Sequence, residues 1–135
     1  MKKTLAVLTT VCAMALFSIA SLAADTTIEG TVSGYTCVVL GKTCPVDMED
    51  PIIAAEKLFV IVKADGSYYL VPNLDRAILA RHLTEKVRVT GALNDKYRSM
   101  NAKTLDTYGT AKGTWKTVWS LAMEEEARRM LDTGN

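Results

Sequence analysis

The stretch LFVIVKADGSYYLV, residues 58–71, decides the fold class of this chain. Its first part is a continuous apolar run and its last part is a short run of aromatic and aliphatic residues, and both are typical of strands. Between them, Asp65-Gly66 supplies the positive φ angles that a tight turn between antiparallel strands requires. The sequence therefore predicts a β-hairpin here and a fold that is built mostly from strands.

The residues before the hairpin predict a long first strand over 27–39. Apolar and β-branched residues alternate there with polar residues at a period of two. Gly30 and Gly34 inside this run predict bends or bulges of a curved sheet. After the hairpin, Asn73 is expected to cap a helix over 74–85 that has one broad apolar face.

Two further strands follow the helix, over 86–91 and, after a turn at Asn94-Asp95, over 99–108. The order is then long strand, hairpin, helix, strand, strand, which resembles the five-stranded oligonucleotide/oligosaccharide-binding (OB) barrel with its helix between strands 3 and 4. The resemblance is one of architecture and covers about residues 28–108. It implies a mostly β fold with α, in which ligands meet the face of strands 2 and 3 and the loops beside it.

The C-terminal residues fit two structures. In the favoured one, residues 114–119 form a strand that pairs back on 103–108, and Ser120 caps a C-terminal helix over 121–131. In the other, the whole tail is helical. Either structure predicts that the two tryptophans of the chain, at positions 115 and 119, share one face and are buried against the barrel.

Residues 1–23 have the layout of a secretory signal peptide, with a positive start, an apolar middle and the small residues Ser21 and Ala23 at the end. We predict cleavage after Ala23, with Ala24 as the second choice, which leaves one domain over 24–135. An uncleaved anchor is the alternative, because the apolar run approaches the roughly 17–20 residues that span a bilayer. The cleaved chain would have no membrane span and would reside in the periplasm, or else outside the cell.

The charge balance argues against a nucleic-acid partner. Loss of Lys2 and Lys3 with the signal would leave 14 of the 16 basic residues against 15 acidic ones, a net charge of −1. Nucleic-acid affinity depends on neutralising many phosphates, so a nearly neutral chain is a poor binder.

Cys37 and Cys44 are the cysteines that would remain after cleavage, because Cys12 lies in the signal. An even number of cysteines in an oxidising compartment predicts a disulfide, which would stabilise the loop between them by about 2–3 kcal/mol. The alternative is a thiol-based metal-binding or redox site. That alternative lacks both a Cys-x-x-Cys motif and a second Cys or His pair.

Aromatic residues near the expected ligand face are the predicted binding residues. Tyr68 and Tyr69 alternate on the second hairpin strand, so one of them faces outward and, with Tyr35 or Tyr97, would form a stacking platform for a sugar or a base. Arg88 is expected to help orient the ligand.

Residue types with catalytic or metal-binding chemistry form no recognisable motif. His82 is the single histidine and is expected on the surface of a helix, and Asp47, Glu49 and Asp50 are expected to be solvated loop charges. Gly-x-Gly-x-x-Gly, Gly-x-Ser-x-Gly and His-Glu-x-x-His patterns are missing. We therefore expect a non-catalytic binding or accessory domain for a small molecule or a periplasmic protein, without a cofactor. An enzyme with an irregular site is the weakest hypothesis.

Overall fold

A computed structural model describes residues 24–44 and 54–133 of the chain. The protein is mostly β with additional helices, as predicted. The six strands are β1 Thr26–Gly34, β2 Phe59–Val62, β3 Tyr68–Leu70, β4 Lys86–Asn94, β5 Ser99–Gly109 and β6 Thr114–Ser120. The helices are α1 Tyr35–Val39, α2 Arg76–Arg81 and α3 Leu121–Asp132, and a 3-10 turn covers Asp95–Tyr97.

The strands form one sheet in the order β3-β2-β1-β4-β5-β6. Neighbouring strands are antiparallel, and β3 additionally pairs in parallel with the start of β5 through Leu70 and Ser99. The predicted hairpin is confirmed as β2 and β3, with Ser67 held over the turn by the Asp65 carboxylate. The helix α2 lies between β3 and β4, where the sequence predicted it.

The hydrophobic core lies on one face of the strands and under α2. Alternate residues of each strand point into it, since side chains of a strand alternate between its two faces. The buried members are Ile28, Val32, Phe59, Ile61, Val71, Leu74, Leu79, Val87, Val89, Met100, Ala102, Leu105 and Trp119. The residues between them, such as Thr31, Val62, Tyr68 and Lys86, form the outer face of the sheet.

The first strand is shorter than predicted. It ends at Gly34, and the residues up to Val39 form the short helix α1 instead of continuing the strand. The backbone N–H of Tyr35 still reaches the sheet, donating to the Leu58 carbonyl, but the chain then turns away over the outer face. β1 pairs with β2 and β4 without a register shift at Gly30. The register shifts of the sheet lie in the pairing of β4 with β5, at Thr90/Gly91, and of β5 with β6, at Leu105/Asp106.

The predicted cap of the central helix was wrong. The side chain of Asp75 caps α2 by accepting from the Ala77 N–H, and the helix is shorter than the predicted 74–85. Asn73 instead bonds the backbone of Ala102 in β5, donating to its carbonyl and accepting from its N–H. Asn73 therefore links the loop after β3 to the neighbouring strand.

The favoured structure of the tail is confirmed, with β6 followed by α3 and with Ser120 as the N-cap. The prediction that both tryptophans share a face was wrong. Trp119 is buried in the core, whereas Trp115 is half-buried opposite Tyr108 on the outer face. The irregularity between Leu105 and Asp106 adds one residue to β6, so side chains of β6 after this point lie on the opposite face from the one that a regular strand would give them.

Several predictions lie outside the described residues. They are the signal peptide over 1–23 and the acidic residues Asp47, Glu49 and Asp50. Among the helices of residues 24–44 and 54–133, none is long and apolar enough to cross a membrane.

Candidate functional site

The two cysteines meet where the chain leaves β1. Cys37 in α1 and Cys44 in the following loop are both buried, and their closest approach is 2.7 Å. This is longer than a disulfide bond of about 2.05 Å, so the structure has no disulfide between them. The Cys44 sulfur accepts the buried backbone N–H of Gly34 at 3.2 Å and lies 3.4 Å from the Ser33 hydroxyl. The segment 35–44 is thereby fixed to the outer face at the end of β1.

A buried glutamate supports the same segment from the other side. Only 6% of Glu56 is exposed, and its carboxylate accepts the N–H of Thr36 at 2.8 Å and that of Leu58 at 3.4 Å. Gly34 makes room for this arrangement, because a side chain there would meet both the Glu56 carboxylate and the Cys44 sulfur. The N–H of Thr36, at the start of α1, is thus satisfied by a side chain twenty positions later in the chain.

Two of the predicted tyrosines come together. The rings of Tyr35 and Tyr68 pack edge to face with centroids 5.8 Å apart, and the Arg98 guanidinium lies 5.8 Å from the centre of the Tyr68 ring. Hydrogen bonding with the Tyr68 side chain raises the pKa of Tyr35 above its ordinary value. No carboxylate of the described residues pairs with the Arg98 guanidinium, which leaves this cation free to meet an anion.

The other two predicted tyrosines do not join this pair. Tyr69 packs partly against the core, and its hydroxyl donates to the Asp95 carboxylate at 3.0 Å, which raises the pKa of Tyr69. Tyr97 is exposed on the 3-10 turn, where the Lys96 ammonium lies over its ring. Because side chains alternate along β3, Tyr68 points outward and Tyr69 inward, and the prediction that one of the two faces outward is confirmed.

Arg88 lies on β4, in a separate cluster of the outer face. Its Nε and Nη2 groups both donate to the Asp106 carboxylate, at 3.0 and 2.9 Å, and Trp115 covers its guanidinium at 4.6 Å. Thr117 donates to the other carboxylate oxygen of Asp106 at 2.7 Å. The structure thus uses Arg88 to join β4, β5 and β6 and does not bring it to the tyrosines.

Register places a row of side chains across four strands of the outer face. Tyr68 pairs with Val62, Val62 pairs with Thr31, and Thr31 pairs with Lys86. Directly opposed residues in antiparallel strands share a face, so these four side chains lie side by side. We call them the outer row, with Arg98 beside its Tyr68 end.

Two open depressions adjoin the middle of the outer row. One has a volume of about 390 Å³ and is lined by Glu29, Lys63 and Lys86 among others. The second has a volume of about 360 Å³ and is lined by Ser33, Lys42 and Cys44 among others. Thr31 and Val62 line both, so the two depressions lie on either side of the same part of the outer row. Such volumes lie within the range of small-molecule sites.

Sequence reasoning missed the residues that other parts of the chain bring to this surface. Arg98 follows the turn after β4 and reaches Tyr68 because β3 pairs with the start of β5. Glu56 gave no signal, since an isolated glutamate before a strand is usually solvated. A predicted strand register would have identified Thr31 and Lys86, because both follow from the pairing of β1 with its neighbours.

Within the described ranges, no group of three or more His, Cys, Asp or Glu side chains is placed to hold a metal ion. Comparison with protein-family models, with curated proteins and with solved structures finds no match to this chain.

Proposed function

We propose that this chain is an exported, non-catalytic binding domain with an OB-like barrel, and that its outer row binds a small anion that carries a ring. The observation that carries the proposal is the outer row itself, which joins an aromatic pair with a free arginine to two open depressions that are lined by three lysines between them. Tyrosines bind rings by stacking and cations orient anions, so the two ends of the row suit the two parts of such a ligand.

The barrel is supported by the pairing between β3 and β5. An open six-stranded sheet would leave β3 at an edge, whereas here Leu70 pairs with Ser99 and the Leu70 N–H donates to the Arg98 carbonyl at 2.8 Å. Five strands then follow one another in a ring, with α2 between strands 3 and 4. This is the arrangement expected of an OB fold, which binds ligands across strands 2 and 3.

A disulfide between Cys37 and Cys44 belongs to the same proposal. In an oxidising compartment the two thiols would lose two electrons and two protons to an exported disulfide oxidant, which would be reduced to its dithiol. Their burial and close approach favour this bond over a metal between them. Two thiolates about 2.3 Å from one tetrahedral ion are separated by about 3.7 Å, which is a full ångström more than the approach found here.

The binding proposal is tested by NMR titration of ¹⁵N-labelled protein with phenyl phosphate. Phenol and inorganic phosphate are titrated separately, because each supplies only one half of the proposed ligand. We expect saturable shifts at Tyr68, Thr31 and Arg98 with phenyl phosphate, and weaker binding of either half alone. Equal affinity for inorganic phosphate would reduce the site to a cation cluster, and the absence of saturable shifts would refute it.

Variants show whether binding occurs at the outer row. Arg98→Gln and Tyr68→Ala should each weaken phenyl phosphate binding by about tenfold, the equivalent of one charged hydrogen bond or one stacking contact. Tyr97→Ala is the matched control, since it removes an exposed tyrosine next to Arg98 but outside the row. An equal loss of affinity in Tyr97→Ala would place the ligand elsewhere.

A further inference from the structure

The C-terminal helix α3 carries an apolar stripe that nothing in the described protein covers. Met123, Ala127, Met130 and Leu131 recur at helical spacing along one side. The exposed fractions are 50% for Met123, 64% for Met130 and 79% for Leu131. None of the twelve residues of α3 is buried against the described chain, so the apolar stripe is exposed along its whole length.

Two contacts hold the first turn of α3 to the end of β6. Trp119 of β6 donates from its indole nitrogen to the Glu124 carboxylate at 3.1 Å, and Ser120 caps the first turn through the Met123 N–H. Glu124 is about 100° around the helix from Met123 and about 20° from Leu131, so this anchor lies at the edge of the apolar stripe. The orientation of the stripe is thus fixed by the domain.

The charges on α3 indicate what covers the stripe. The acidic residues Glu124, Glu125 and Glu126 occupy its first half, and Arg128 and Arg129 occupy its second half. A helix that lies on a membrane is usually rich in Lys and Arg along its polar face, so three consecutive glutamates disfavour a lipid surface. Two antiparallel copies of α3, in contrast, would set each acidic half against the basic half of the other.

We propose that the apolar stripe of α3 binds the same stripe of a second copy of this chain, antiparallel and about a twofold axis near Ala127. A parallel pair would place like charges together, so the charge pattern selects the antiparallel one. Such a contact is isologous, because the same patch serves both partners and the assembly closes as a dimer.

The free edge of β6 enlarges this interface. Within the described residues β6 pairs with β5 alone, so its other edge presents unpaired backbone groups next to α3. Four apolar side chains alone make a smaller patch than the roughly 800 Å² per partner of a typical stable interface, so we expect a dimer of micromolar affinity.

Sedimentation velocity of the full chain from about 1 µM to about 1 mM brackets that affinity. We expect conversion from monomer to dimer across this range. Met130→Glu should weaken the dimer at least tenfold, whereas Ala122→Glu, which adds the same charge outside the apolar stripe, should leave it unchanged. Far-ultraviolet circular dichroism confirms that both variants keep α3. A protein that remains monomeric at every concentration would overturn the proposal.

Disulfide trapping tests the orientation. With Ala127→Cys, oxidation should link position 127 to itself in a covalent dimer, because it lies near the twofold axis. Met123→Cys alone should not cross-link, but its mixture with Leu131→Cys should form the heterodimer. Efficient self-linking of Met123→Cys would show parallel helices and contradict the charge argument. Peptide mass spectrometry separates these links from any that involve Cys37 or Cys44.

Discussion

The ion pair between Arg88 and Asp106 allows a quantitative prediction about stability. Only 7% of Asp106 is exposed, and its two carboxylate oxygens accept three hydrogen bonds from β4 and β6. Asp106→Leu would leave Arg88 under Trp115 without its partner. Removing one member of a fully buried pair costs about 3–5 kcal/mol, and because a third of the Arg88 side chain is exposed we expect about 2–3 kcal/mol.

The assay is urea unfolding followed by tryptophan fluorescence, since both tryptophans of the chain lie on β6. With an m-value of about 1.5 kcal/mol/M, Asp106→Leu should lower the midpoint by about 1.3–2 M. The double variant Arg88→Met/Asp106→Leu should recover most of this loss, because replacing both partners by apolar residues is often nearly neutral. With the wild type and the single variant Arg88→Met, these variants complete a double-mutant cycle.

Lys86→Met is the matched control for this cycle. Lys86 lies on the same strand and face, and its ammonium also contacts the Trp115 ring. Its ion pair with Glu29 is about half exposed on both sides, so its loss should cost less than about 1 kcal/mol. Equal costs for Lys86→Met and Asp106→Leu, or a double variant whose cost is the plain sum of the single ones, would refute the reasoning.

Three further predictions concern the backbone, a hydroxyl and the thiols. Gly91→Ala should destabilise the protein by about 2–4 kcal/mol in the same assay, since the new Cβ would overlap the backbone of β5, and an unchanged midpoint would contradict this. Because the hydrogen bond to Asp95 raises the pKa of Tyr69, this bond stabilises the folded state below about pH 10, and the stabilisation is lost as the pH rises through the folded pKa. Asp95→Asn should lower the pKa of Tyr69 in an ultraviolet titration. In protein recovered from an oxidising compartment, Cys37 and Cys44 should resist alkylation after denaturation until a reductant is added, and alkylation of both without reductant would disprove the disulfide.

The fold was predictable wherever a local pattern coincides with burial. The hairpin of β2 and β3 follows from an apolar run, a turn dipeptide and a second run, and β6 with α3 follows from turn glycines and the Ser120 cap. The end of β1 was not predictable, because residues 35–39 alternate as a strand would, whereas the contact of Thr36 with Glu56 joins α1 to a residue far along the chain. The separate faces of Trp115 and Trp119 depend on one extra residue in β6, which no period of two can reveal.

The candidate site was predictable only in part, for the same reason. Tyr35 and Tyr68 could be named because they lie on or beside the strands that an OB-like order assigns to a ligand. Arg98 enters the site through the pairing of β3 with β5, and Arg88 is drawn away from it by Asp106. Both effects come from contacts between segments that are distant in the sequence, whereas a sequence pattern mainly indicates the local structure of neighbouring residues.

The pairing of β1 with β4 has a consequence for how the chain reaches this structure. Thr26 lies opposite Gly91, 65 positions later (91 − 26), so the first strand stays incomplete until most of the domain has been made. Contacts this distant cost chain entropy before they return any stabilisation, which places such topologies in the millisecond-to-second range of folding times. During that interval the hairpin of β2 and β3, whose pairing is local, is the element best able to persist and to template the rest.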